Sequence, residues 1–118
     1  MINFNMHELT LSRSILEIVK ERASQIACQS VKKIYLEVGE LSGVDHESLR
    51  FSFSVVARGG IAENASLEII EIKGQAICDF CQETVMLKNY YDGCNICGQY
   101  SLRIIQGEEL RVKSMEVE

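Results

Sequence analysis

The chain has 118 residues, 47% of them hydrophobic and 25% charged, with a net charge of -5 and an isoelectric point near 5.1. That length holds one compact domain, or one core plus a small satellite unit, and the composition is that of a soluble globular protein, which excludes a disordered chain and two full-sized domains. The acidic balance counts against a protein that grips phosphate backbones, since such binding is driven by clustered Lys and Arg.

From Leu9 to Cys28 the residues Leu9, Leu11, Ile15, Leu16, Ile18, Val19, Ala23, Ile26 and Ala27 recur at spacings of three and four. This predicts an amphipathic helix, with Arg13, Glu17, Lys20, Glu21 and Arg22 mostly on the other side. Val31 to Gly39 reads as a strand in which Ile34, Leu36 and Val38 share one face and Lys33 and Glu37 the other. After the loop Gly39-Glu40-Leu41-Ser42-Gly43, Asp45 is placed to cap a second helix whose core face is Leu49, Phe53, Val56 and Ala57, and Gly59-Gly60 mark its end. A second strand is expected from Ser66 to Ala76 and a last one from Leu110 to Val117.

Between those two strands lie Cys78-Asp79-Phe80-Cys81 and Cys94-Asn95-Ile96-Cys97, separated by the segment Gln82 to Gly93. Two Cys-x-x-Cys turns present four soft ligands at the spacing tetrahedral zinc requires. Neither a membrane-length apolar run nor a signal peptide is visible in the sequence, so the expected location is the cytoplasm, where thiols stay reduced and paired cysteines read as metal ligands rather than disulfides. A closed set of four sulfurs leaves no position for activated water, so the zinc is expected to be structural. The unit from 77 to 104 has little apolar mass beyond Phe80, Val85, Leu87 and Ile96, so metal binding is expected to supply most of its folding free energy. Cys28 has no close partner and reads as a small side chain near a helix end.

The expected fold is α+β: a three-stranded, mainly antiparallel sheet covered by two helices, with an inserted four-cysteine, zinc-ribbon-like unit. The corresponding domains are 1-76 plus 105-118, and 77-104. The chain has two histidines, His7 and His46. His46 follows the expected cap and reads as a first-turn residue. Met6-His7-Glu8 is expected to lie ahead of the first helix, where an imidazole, an adjacent carboxylate and amides outside helical hydrogen bonds make a nitrogen-rich site of the kind Ni(II) or Cu(II) prefers. On spacing alone, an exposed terminal His with no ligand role remains the better reading.

The ordered set Met6-His7-Glu8-Leu9-Thr10-Leu11, Leu36 to Asp45, Leu49-Arg50-Phe51-Ser52-Phe53, the two cysteine pairs and the ending Leu110 to Glu118 closely resembles the HypA/HybF family of hydrogenase nickel-insertion accessory proteins. The resemblance implies a cytoplasmic nickel metallochaperone and not an enzyme. It implies His7 as the principal Ni(II) ligand with Glu8 as its supporting neighbour, Asp45 at an acidic position near the same site, and structural zinc on Cys78, Cys81, Cys94 and Cys97. The partners it implies are a nickel-insertion GTPase accessory protein and the hydrogenase large subunit, with urease accessory proteins as further candidates, in a chain that is a monomer or weak homodimer and binds neither nucleic acid nor membrane. This sequence departs from the family pattern in two places. Met1 to Asn5 precede the usual start, moving the terminal amine away from His7, and Asn95 and Gly98 stand where many relatives carry Pro and His. The rival reading is a small zinc-ribbon module that binds nucleic acid or another protein.

Overall fold

The computed structural model describes the backbone from Phe4 to Glu118 and the side chains from Glu8 onward. Helix α1 spans Phe4–Ile26 and begins earlier than the periodicity predicts, so His7 falls within its first turn rather than ahead of it. The His7 side chain lies outside the described residues. The buried line of α1 is Glu8, Ser12, Ile15, Val19 and Ala23, spaced by three and four, while Ile18 and Ile26 are exposed. Two polar residues therefore occupy core positions that an apolar pattern cannot mark. Ser12 Oγ offsets the cost of burial by donating to the Leu49 carbonyl of the second helix at 3.4 Å. The helix ends at Ala27, whose φ of 52° is left-handed and stops the helical ladder.

Strand β1, Val31–Gly39, buries Ile34, Leu36 and Val38, the expected face, and also Val31, whose position in the alternation is the opposite one. Asp45 caps helix α2, His46–Val56: its Oδ1 accepts from the Glu47 amide at 3.2 Å and its Oδ2 from the Ser48 hydroxyl at 2.9 Å. Leu49, Phe53 and Ala57 are buried as expected, and Val56 is half-buried. Strand β2 is Ser66–Ile72, shorter than predicted, because the chain breaks at Lys73-Gly74 and restarts as β3, Gln75–Cys78. Two further short strands follow, β4 at Thr84–Met86 and β5 at Leu102–Gln106, before the final strand β6 at Leu110–Val117.

The strands form two three-stranded sheets, ordered β2-β1-β6 and β4-β3-β5. In the first, the Gln29 and Ser30 amides donate to the Glu118 carbonyl and the Gly39 amide donates to the Glu109 carbonyl, so β1 and β6 run antiparallel. In the second, β3 pairs antiparallel with both neighbours.

The chain divides into two compact units: residues 1–36, 44–69 and 111–118, and residues 37–43 and 70–110. The second is wider than the expected 77-104, taking in the helical turn Glu40–Ser42 and strand β3 from its start. Its core is Leu41, Ala76, Cys78, Val85, Leu87 and Cys94, with Leu102 and Ile104 packed against it. Phe80 and Ile96, counted above as apolar mass for this unit, are instead exposed. Leu41, forty residues upstream, fills the place that the local sequence leaves empty. It is held there by its own amide donating to the Gly107 carbonyl at 2.8 Å and by the Glu40 carboxylate accepting from the Gly74 amide at 2.9 Å.

Candidate metal centre

The two cysteine turns have the same backbone construction. In the first, the Gln82 amide donates to the Cys78 carbonyl and the Cys78 amide to the Glu83 carbonyl; in the second, Gly98 donates to Cys94 and Cys94 to Gln99. The residue after each pair is left-handed, Gln82 at φ 63° and Gly98 at φ 81°. That reversal folds each turn back so both of its sulfurs point the same way. Glycine at 98 adopts this conformation without a Cβ penalty, and the sequence departure noted there has a backbone reason. Gln82 accepts the penalty and anchors its side chain by donating Nε2 to the Asp79 carbonyl at 2.8 Å.

The turns face each other. Cys78 Sγ lies 3.6 Å from Cys97 Sγ and Cys81 Sγ lies 3.8 Å from Cys94 Sγ, with all four within 4.8 Å of one another. A tetrahedral ion with Zn–S bonds of about 2.3 Å sets sulfurs roughly 3.8 Å apart, so this donor set fits a soft tetrahedral ion such as zinc. Cys78 and Cys94 are buried and Cys97 is exposed, which puts the centre at the rim of the second unit's core.

The amides of Cys97 and Ile96 reach Cys94 Sγ at 3.5 and 3.4 Å. The Cys97 amide, helped by Ile96 against the opposing burial, brings the Cys94 thiol down to about 6. Cys81 moves the other way: an amide contact at Glu83 lowers it, but burial and the three neighbouring thiols outweigh that and push it up to about 12. The cluster thus releases its first proton readily and retains others against thiolate repulsion until a cation compensates the charge. Metal capture at such a site releases protons. Nearby, Asp79 accepts from Ser101 Oγ at 2.9 Å and from Arg103 Nε at 3.2 Å, which keeps its carboxyl below the usual range and fixes the first turn to β5.

At the other site predicted from sequence, Glu8 is 0% exposed. Its Oε2 accepts from the Asp45 amide at 3.4 Å, and Oε1 has no hydrogen-bond partner among the described residues. Glu8 and Asp45 are thus brought together. His46, the other histidine, is the half-buried first residue of α2. Cys28 is half-buried, with Sγ 3.9 Å from the Ala23 carbonyl. Among the described residues no helix is long and apolar enough to cross a membrane, and the four cysteines are the one cluster suited to holding a metal.

An α+β unit joined to a four-thiol unit is the build of a metal-binding protein, and comparison with known proteins specifies which. The family model for hydrogenase/urease nickel incorporation, metallochaperone, HypA, matches residues 6–117, and the chain belongs to that family, one of maturation factors rather than enzymes. The hydrogenase maturation factor HypA of Legionella pneumophila strain Lens is 54% identical over 113 residues, covering 96% of this chain and all of the relative. That of Azotobacter chroococcum mcd 1 is 45% identical over the same coverage. Two solution structures share the fold: the nickel metallochaperone HypA from Helicobacter pylori, with TM-score 0.67, 22% identity and coverage of 93% of this chain and 96% of that one, and a second HypA protein, with TM-score 0.70, 24% identity and coverage of 96% and 97%.

Proposed function

We propose that this protein binds Ni(II) through His7 and delivers it during [NiFe] hydrogenase maturation, while Cys78, Cys81, Cys94 and Cys97 hold a structural Zn(II). The observation that carries the reading is the family match from residue 6 onward, which opens on Met6-His7-Glu8. An imidazole in the first turn of a helix, where the backbone amides have no intrahelical partner, is a few-ligand nitrogen site, suited to releasing nickel to an acceptor. The tetrathiolate centre is closed and suited to holding a fold together. Glu8 supports the nickel site from below: buried and linked to Asp45, it ties the first turn of α1 to the start of α2. The nickel donor-side partner is a GTPase accessory protein and the recipient the hydrogenase large subunit, with urease accessory proteins as further acceptors, all in the cytoplasm, and the chain acts as a monomer or weak homodimer.

Nickel titration of the zinc-loaded protein, compared with His7→Ala, tests this. The expected result is a loss of nickel affinity of at least about tenfold with zinc still one per chain, because one nitrogen ligand is removed and no thiolate is touched. Unchanged nickel affinity in His7→Ala overturns the assignment.

A further inference from the structure

The charge of the chain is unevenly shared between its two units. The first holds as many Lys and Arg as Asp and Glu, nine of each, whereas the second holds Lys73, Lys88 and Arg103 against eight acidic residues, so the whole net charge of -5 sits there. A divalent ion on four thiolates adds about two more negative charges. Two of the three cations are already engaged: Lys73 with Glu71 at 3.0 Å and Arg103 with Asp79 at 3.2 Å.

The sheet β4-β3-β5 of this unit turns one face, Ala76, Cys78 and Val85, into the core, and the other is open. Register defines what the open face carries. Ile77 on the central strand is opposite Thr84 on β4 and Arg103 on β5; one pleat along, Gln75 is opposite Met86. Between Gln75 and Ala76 the pairing slips from Gln106 to Ile104, so Ile105 is an extra residue bulged out of β5. Met86 is 51% exposed and Ile105 is 49% exposed. They flank half-buried Ile77 diagonally, within reach of a common ligand.

We infer that the open face of this sheet, centred on Ile77, Met86 and Ile105, is a docking surface for a cationic, apolar-faced segment of a partner protein. Exposed apolar residues grouped on one sheet face of a folded unit mark an interaction site, and the net negative charge of the unit as a whole selects the occupant. A second copy of this unit, a nucleic acid and an anionic membrane all carry the same sign and are repelled, whereas a segment alternating apolar residues with Lys or Arg satisfies both the face and the field around it. Adaptable Met86 suits such a surface, because its unbranched thioether repacks readily. This inference does not depend on the nickel site.

The test is titration of zinc-loaded, isotopically labelled full-length protein with a short peptide alternating Lys and Leu, alongside Glu-Leu and all-Lys peptides, followed by NMR. The Lys-Leu peptide is expected to shift the signals of Ile77, Met86 and Ile105. Met86→Ser/Ile105→Ser is expected to weaken binding by at least about tenfold, with the cobalt-substituted thiolate spectrum unchanged. Glu83→Lys, beside β4, is expected to weaken it as well. Equal binding by the Glu-Leu or all-Lys peptide, full binding by the double variant, shifts confined to other surfaces, or the same shifts produced by raising protein concentration alone would each overturn the proposal.

Discussion

The backbone amide of Asp45 donates to Glu8 Oε2 at 3.4 Å across 37 residues of sequence, while the Asp45 side chain caps α2 with its own two oxygens. One residue thus receives the buried carboxylate of α1 on its main chain and starts α2 with its side chain. Glu8, which the family resemblance gives as the supporting neighbour of the nickel ligand, is a buried carboxylate next to the segment that opens α2.

Glu8→Gln preserves an oxygen for the Asp45 amide, and is expected to keep nickel affinity within about twofold of the parent. Glu8→Ala leaves a void and an unsatisfied amide, with an expected stability cost of about 1–3 kcal/mol. Thermal melting combined with nickel titration separates the two roles. A nickel site destroyed by Glu8→Gln at unchanged melting temperature would make Glu8 a direct ligand.

Removal of the Asp45 side chain deletes both cap hydrogen bonds, so Asp45→Ala is expected to cost about 1 kcal/mol, with Asp45→Asn recovering most of it. Denaturant unfolding monitored by helical circular dichroism reads this directly, and equal stability of the Ala and Asn variants would contradict a capping role.

Stripping the metal, or replacing Cys94 by Ser, is expected to disorder residues 70–110 while the helical signal of α1 and α2 persists, because the second unit's core is six residues, two of them cysteines. Amide spectra of the metal-free chain check it; loss of dispersed signals from both units together would show that they fold as one.

The left-handed positions give a finer test. Gly98 has open space around a would-be Cβ, so Gly98→Ala is expected to cost about 1 kcal/mol from backbone strain alone, and Gln82→Gly relieves the same strain while losing a side-chain hydrogen bond. Gly74→Ala is expected to be worse, by about 2 kcal/mol or more, since its Cβ would run into the Leu87 carbonyl oxygen. Competition with a chelator, reported as the midpoint of metal loss, orders the three variants.

Tyr90 donates its hydroxyl to Glu108 Oε2 at 2.6 Å, and this bond, with some burial and the carboxylate charge, raises the phenol above its usual 10. The protonated phenol is the form the fold favours, so the bond's contribution is complete below pH 10 and is lost as pH climbs through the raised value. Absorbance of tyrosinate during alkaline titration is expected to appear at lower pH in Glu108→Gln; superimposable curves would remove the hydrogen bond as the cause.

By itself the sequence determined the four sulfurs, the Asp45 cap, the face of β1 and the family, because each rests on residues within one turn, one strand or a fixed spacing. Only the tertiary structure decided that Glu8 and Ser12 belong in the core, that Leu41 serves the second unit, and that Phe80 and Ile96 do not. The same holds for the division of the long second strand at Gly74 and for the open apolar face of β4-β3-β5. The physical reason is common to all of these: burial depends on which surfaces meet, and these meetings join residues far apart in the chain, where polarity and periodicity leave no local trace.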